Sequence, residues 1–136
     1  MEWITEKIAV GDQMDASDEE HLMSQGITHV LNVIDNVDKE FKHLKYAKLP
    51  WYDQKSSNML DEAINYIYEA VKEGKVLVFC GICVDRSPTT VLAYLDRIGF
   101  GLLEAWKFIK NKHREASPHP EWIKMIRETK NRKNDF

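Results

Sequence analysis

An α/β fold with a central, mostly parallel, twisted sheet of about four or five strands flanked by helices on both faces is predicted by three features of the sequence. Ile27–Ile34 is β-branched and apolar, as expected of a strand buried on both faces, and Lys75–Phe79 is the most strand-like segment in the chain. Segments of helical periodicity alternate with them, as parallel strands joined by crossover helices require. Glycine or proline punctuates the junctions, at Gly11, Gly26, Pro50 and Gly74.

The elements follow in chain order. Trp3 to Val10 alternates weakly and stops at Gly11-Asp12, which predicts one short edge strand. Asp15-Ala-Ser-Asp-Glu-Glu places acidic residues at the positive end of a helix that closes at Gly26. Phe41–Leu49 is expected to carry a strand ending at Pro50, and Asp53–Asn58 is a polar loop. The next helix has Ile64, Ile67, Tyr68 and Val71 on one face, with Asn58 and Asp61 as a capping pair, and Gly74 ends it. After the Lys75–Phe79 strand, helices are predicted over Pro88–Ile98, from Leu102 to about Arg114, and from Pro120 to about Lys130.

The 136 residues suit one core, so a single domain spanning residues 1–136 is expected. Hydrophobic residues at 43% and charged residues at 30% exclude a disordered chain. A net charge of −3 argues against a broad nucleic-acid-binding face. The cations gathered in Lys124, Arg127, Lys130, Arg132 and Lys133 read as a solvated helix end. No apolar run is long enough to span a membrane, and MEWITEKIAV lacks a signal-peptide core. A cytoplasmic monomer that binds neither membrane nor nucleic acid is therefore expected. Two cysteines, Cys80 and Cys83, are too few for a disulfide framework, which puts the weight on their chemistry.

That chemistry is concentrated in Cys80-Gly-Ile-Cys-Val-Asp-Arg86-Ser-Pro-Thr-Thr, directly after the strand. In open α/β sheets ligands bind beyond the carboxyl ends of the strands. A loop of this length can curl until the backbone N–H groups of Gly81, Ile82, Cys83, Val84, Asp85 and Arg86 converge on one anion. The helix that begins beside Arg86 adds its positive end to the same point. The Arg86 guanidinium can fork onto two phosphate oxygens, which a lysine cannot do. The same field favours a thiolate, so Cys80 is expected to be nucleophilic at neutral pH.

Cys-x5-Arg-Ser after a strand resembles the phosphate loop of the protein tyrosine phosphatases, and Arg86-Ser-Pro-Thr-Thr-Val-Leu-Ala-Tyr-Leu95 is similar to the dual-specificity subgroup. The likeness extends to Ile8-Ala-Val-Gly11, Gly26-Ile-Thr-His-Val-Leu-Asn-Val33, Leu49-Pro-Trp-Tyr-Asp53, Glu104-Ala105, Arg114 and Ser117-Pro118. It implies a phosphatase acting on phosphorylated proteins without metal or cofactor. Cys80 would form a phosphocysteine, and Asp53 would protonate the leaving oxygen and then deprotonate water. Ser87 would hydrogen-bond the departing sulfur, and Arg86 with the loop amides would hold the phosphoryl oxygens.

The chain also departs from the family pattern. Phe79 stands where the family has histidine, which removes a polar support for the loop. Cys83 replaces a glycine and Asp85 a serine, and Asp85 is expected to point away from the phosphate, because two anions in one nest repel. The Cys80–Cys83 spacing suits a reversible disulfide that would shield the nucleophile. The same pair carries the alternative reading, a thiol–disulfide oxidoreductase, but that activity has no use for Arg86-Ser87. A low-molecular-weight tyrosine phosphatase would carry its Cys-x5-Arg-Ser-Pro string near the N-terminus, whereas 79 residues precede it here. A non-catalytic phosphate-binding module would not need the cysteine, arginine and aspartate together. The first strand starts by about residue 3, leaving no room for a long upstream recognition loop, so a shallow pocket open to phosphotyrosine and phosphoserine/threonine is expected. Gly81, Ile82 and Val84 supply no lysine for a multiply phosphorylated inositol.

Overall fold

The chain was described as a computed structural model covering residues 1–51, 57–81, 86–114, 116–117 and 120–134, with the side chains at 57, 129 and 131–134 outside that description. Five strands, β1 (Glu2–Trp3), β2 (Ile8–Gly11), β3 (Ile27–Asn32), β4 (Lys45–Lys48) and β5 (Lys75–Phe79), form one sheet in the order β1-β2-β5-β3-β4. Only β1 pairs antiparallel, with β2, and all other neighbours are parallel. The helices are α1 (Glu19–Ser24), α2 (Ser57–Glu73), α3 (Arg86–Leu95), α4 (Leu102–Lys112) and α5 (Pro120–Asn134), with a short 3-10 turn over Asp15–Ser17 before α1. The expected α/β architecture is the one observed.

Alternation along β5 assigns each face of the sheet its own core. Leu77 and Phe79 pack with Ala9, Ala16, Leu22, Ile27, Val30 and Leu44, beneath α1 and the 3-10 turn. Val76, Val78 and Cys80 belong to the larger core built with α2, α3, α4 and α5, through residues such as Ile67, Leu92, Ile109 and Met125. A period of two gives this division, and it forces consecutive residues 79 and 80 to opposite sides. The helices are thus unequally shared, four over one face and one short helix over the other.

Several boundaries differ from the sequence expectation, each for a local reason. Trp3–Val10 is two strands rather than one. The Thr5 hydroxyl accepts from the N–H groups of Lys7 and Ile8 at 3.1 and 3.0 Å, and this side-chain turn folds the segment back on itself. The edge position falls to β1, and β2 becomes an interior strand. The first helix opens at Glu19, because Asp18 caps it by accepting from His21 N at 3.1 Å. Gly26, at φ 85°, takes the left-handed conformation expected after its last turn. On α2 the buried stripe is Leu60, Ala63, Ile64, Ile67 and Ala70, with Val71 partly buried, whereas Tyr68 is exposed and lies beneath Lys72 Nζ, 4.3 Å from the ring centre.

Asn58 lies inside α2, so it is not the cap, and Asp61 does not act as its capping partner. The Asp61 carboxylate instead accepts from Arg97 Nη2 at 3.1 Å. Arg97 belongs to a π-type turn over Asp96–Phe100 that continues α3, in which Gly99 adopts φ 117°. The pair therefore ties the first turns of α2 to the end of α3. Among the described residues, no helix is long and apolar enough to cross a membrane.

Gly74 ends α2 as anticipated, but its role is space rather than a left-handed backbone. A Cβ built there would overlap the Thr28 side chain, whose hydroxyl accepts from Lys75 N at 3.1 Å where β3 meets β5. Gly74→Ala is expected to destabilise the fold by about 1–3 kcal/mol through overpacking. Urea denaturation followed by circular dichroism checks this, and an unchanged midpoint would contradict it.

Candidate active site

β5 is the middle strand, flanked by β2 and β3, and its carboxyl end opens the site. Val33 N donates to Phe79 O at 3.1 Å, and Cys80 N donates to Gly11 O at 3.3 Å. Gln13 N reaches Gly81 O at 3.4 Å. The start of the bend is thus tied to the ends of both neighbouring strands, which fixes Cα and Cβ of Cys80 before any loop residue contributes.

The turns around it are held by their own polar groups. Asp12 N donates to Asp15 Oδ2 and Asp15 N to Asp12 Oδ1, both at 2.9 Å. This reciprocal pair commits the carboxylates to backbone donors beside the bend. Asn32, wholly buried, accepts from Ile34 N at 2.9 Å and donates to Val37 O at 2.7 Å and Tyr46 Oη at 3.0 Å. The β3 side of the cleft therefore rests on a fully used amide.

Cys80 Sγ lies 3.3 Å from Ser87 Oγ, and both side chains are buried. Ser87 is the second residue of α3, which begins at Arg86 rather than just after it. The serine's hydroxyl thus faces the sulfur across the bend. Arg86 is partly buried at the helix start, the positive end of the helix dipole. Every residue of α3 from Ser87 to Leu95 is buried, which makes the helix a rigid backing for the site.

Asp53 and the loop residues Ile82, Cys83, Val84 and Asp85 lie outside the described residues. Gly81 is described, and an added Cβ there would approach only Ile34 Cδ1, at 4.0 Å. Phe79 is buried in the opposite core with Leu77, so its ring faces away from Cys80. The family's histidine position therefore contributes an apolar anchor beneath the sheet in this chain.

Two residues that sequence reasoning did not single out complete the surroundings. Trp51, two positions before Asp53, is fully buried and donates from Nε1 to Thr90 Oγ1 at 2.8 Å. Its ring meets that of Trp122 on α5 edge-on, with centroids 4.9 Å apart and an interplanar angle of 72°. Thr90 Oγ1 in turn donates to Arg86 O at 2.6 Å. The available signal was a tryptophan in an otherwise short polar connection, since a buried indole N–H needs an acceptor.

The chain is similar to known proteins. The family described as dual specificity phosphatase, catalytic domain, matches residues 8–132. Protein phosphatase Slingshot homolog 2 of Homo sapiens is 30% identical over 131 residues, which cover 92% of this chain and 9% of that protein. Dual specificity protein phosphatase 22 of Xenopus tropicalis is also 30% identical over 131 residues, covering 93% of this chain and 63% of that one. The chain thus spans a small part of the first of these relatives and under two thirds of the second. Among solved structures, human DUSP28 superposes with a TM-score of 0.87 at 21% identity, over 98% of each chain, a likeness of fold.

Proposed function

Because the chain belongs to the family of dual specificity phosphatase catalytic domains, we propose that it hydrolyses phosphotyrosine and phosphoserine/threonine in proteins through a phosphocysteine. The observation that carries this reading is the 3.3 Å approach of Cys80 Sγ to Ser87 Oγ where the central strand hands over to α3. A buried sulfur with a hydroxyl partner beside a helix start suits a nucleophile that must also become a leaving group.

The reaction balances as two displacements. The Cys80 thiolate attacks phosphorus, forming the S–P bond as the ester O–P bond breaks, and Asp53 gives its proton to the departing oxygen. Water then attacks the phosphocysteine while Asp53 takes a proton from it. The S–P bond breaks, the Ser87 hydroxyl stabilises the returning thiolate, and inorganic phosphate leaves. Arg86 and the amides of residues 81–86 hold the three non-reacting oxygens, where charge resides in a loose transition state. Cys83 adds a reversible lock, closing a disulfide with Cys80 under oxidation. The same proposal includes a monomer working in the cytoplasm on phosphorylated proteins, with no metal or cofactor. The thiol–disulfide oxidoreductase alternative has no counterpart among the relatives reported above and assigns nothing to Ser87.

Hydrolysis of para-nitrophenyl phosphate and phenyl phosphate tests the roles together. Cys80→Ser is expected to be inactive on both. Asp53→Asn is expected to lose about 100-fold on phenyl phosphate and far less on para-nitrophenyl phosphate, whose leaving group needs little protonation. Ser87→Ala is expected to accumulate phosphoenzyme, seen as a burst of nitrophenol before the steady state. Equal losses of Asp53→Asn on the two esters would remove Asp53 as the general acid, and activity in Cys80→Ser would remove the nucleophile. For the lock, peroxide is expected to abolish activity and dithiothreitol to restore it. Loss without recovery would exclude a protective disulfide.

A further inference from the structure

We propose that Thr90 is a positioning residue: through Trp51 its hydroxyl joins the segment leading to Asp53 to the carbonyl of Arg86. The inference rests on the phosphatase reading with Asp53 as general acid, and deepens it.

The directions of the two hydrogen bonds are fixed by chemistry. An indole N–H only donates, so Thr90 Oγ1 must accept from Trp51 Nε1, at 2.8 Å. The hydroxyl's one proton then goes to Arg86 O, at 2.6 Å. That carbonyl shares a rigid peptide plane with the N–H of Ser87. Holding it sets the orientation of the peptide between the phosphate-clamping arginine and the serine that faces Cys80 Sγ.

On the other side, Trp51 has no slack. Its ring is buried, Trp122 closes against it edge-on at 4.9 Å, and its N–H is committed to Thr90. Asp53 follows Trp51 by two residues, so covalent geometry keeps their backbones within about 7 Å. The anchor of the acid's segment and the arginine end of the phosphate loop thus share a single oxygen atom. Misplacing that anchor by a fraction of a bond length degrades proton delivery, whereas the sulfur, held by β5, stays where it is.

A threonine that served packing alone would give a different signature. A buried threonine commonly bonds back to the carbonyl four residues earlier, and its loss would lower stability without changing the ranking of substrates. A positioning residue for the acid must instead matter most where the leaving group needs a proton.

The test compares kcat of Thr90→Val, Trp51→Phe and Thr90→Ser on phenyl phosphate and para-nitrophenyl phosphate, corrected for folded fraction by circular dichroism. Thr90→Val and Trp51→Phe are expected to fall about 10- to 100-fold on phenyl phosphate, and by less than about threefold on para-nitrophenyl phosphate. Thr90→Ser, which keeps the hydroxyl, is expected to track wild type on both. Equal losses on the two esters, or wild-type rates in both altered proteins, would overturn the proposal. Should Thr90→Val fail to fold, Trp51→Phe decides alone: it removes the donor along with part of the ring's packing, and the comparison of the two esters separates a loss of acid positioning from a general loss of packing. Failure of the underlying reading looks different: wild type would hydrolyse neither ester, or Asp53→Asn would show no dependence on the leaving group.

Discussion

The hand-over from β5 to α3 is the constraint on which the remaining features depend. A strand buried at the centre of a mostly parallel sheet ends at Phe79, just before Cys80, and a helix buried from Ser87 to Leu95 starts at Arg86. Both elements are immobilised by the cores they belong to, so the bend between them is held at two fixed ends. In the proposed mechanism the bend's N–H groups and the first turn of α3 would supply positive potential at one place, where the sulfur and the Arg86 guanidinium would share one anion. The 3.3 Å contact between Cys80 and Ser87 brings the strand end and the helix start together.

Stability and function meet in the large core. Val76, Val78 and Cys80 face the same side of the sheet, so Cys80 is an extension of the apolar row that anchors β5. Trp51 and Trp122 belong to that core as well, which brings the connection after β4 and the last helix into contact with the site's backing. The Asp61–Arg97 pair performs a similar task further out, linking α2 to the turn after α3 through two carboxylate and guanidinium groups that are each largely shielded. Partly buried pairs of this kind are screened less than those at the surface.

Much of this was legible in the sequence because the signals were short and strong. Lys75–Phe79 is apolar after its first residue, with two β-branched valines, and it forms β5 with those bounds. The placement of Cys80 beside a strand end and of Arg86 and Ser87 at a helix start was legible because a strand run and a helical segment flank the Cys-x5-Arg-Ser string. What escaped reading was set by side chains acting across space. The Thr5 hydroxyl that splits the first segment into β1 and β2 leaves no periodic trace. Asp61 looked like a cap because its partner, Arg97, lies 36 residues away. Tyr68 sits beside the apolar stripe of α2 at helical spacing, yet the stripe is satisfied one position earlier by Ile67. Thr90 carries no mark in the sequence of the bond it accepts from Trp51 Nε1.

The most direct measurement is a crystal structure of the Cys80→Ser protein with tungstate, a phosphate mimic, in the cleft. The anion is expected within hydrogen-bonding distance of the residue 80 side chain, ringed by backbone amides of the bend and gripped by two nitrogens of the Arg86 guanidinium. A bend lying open, with the guanidinium and the residue 80 side chain directed apart and tungstate bound elsewhere or not at all, would contradict the shared-anion arrangement.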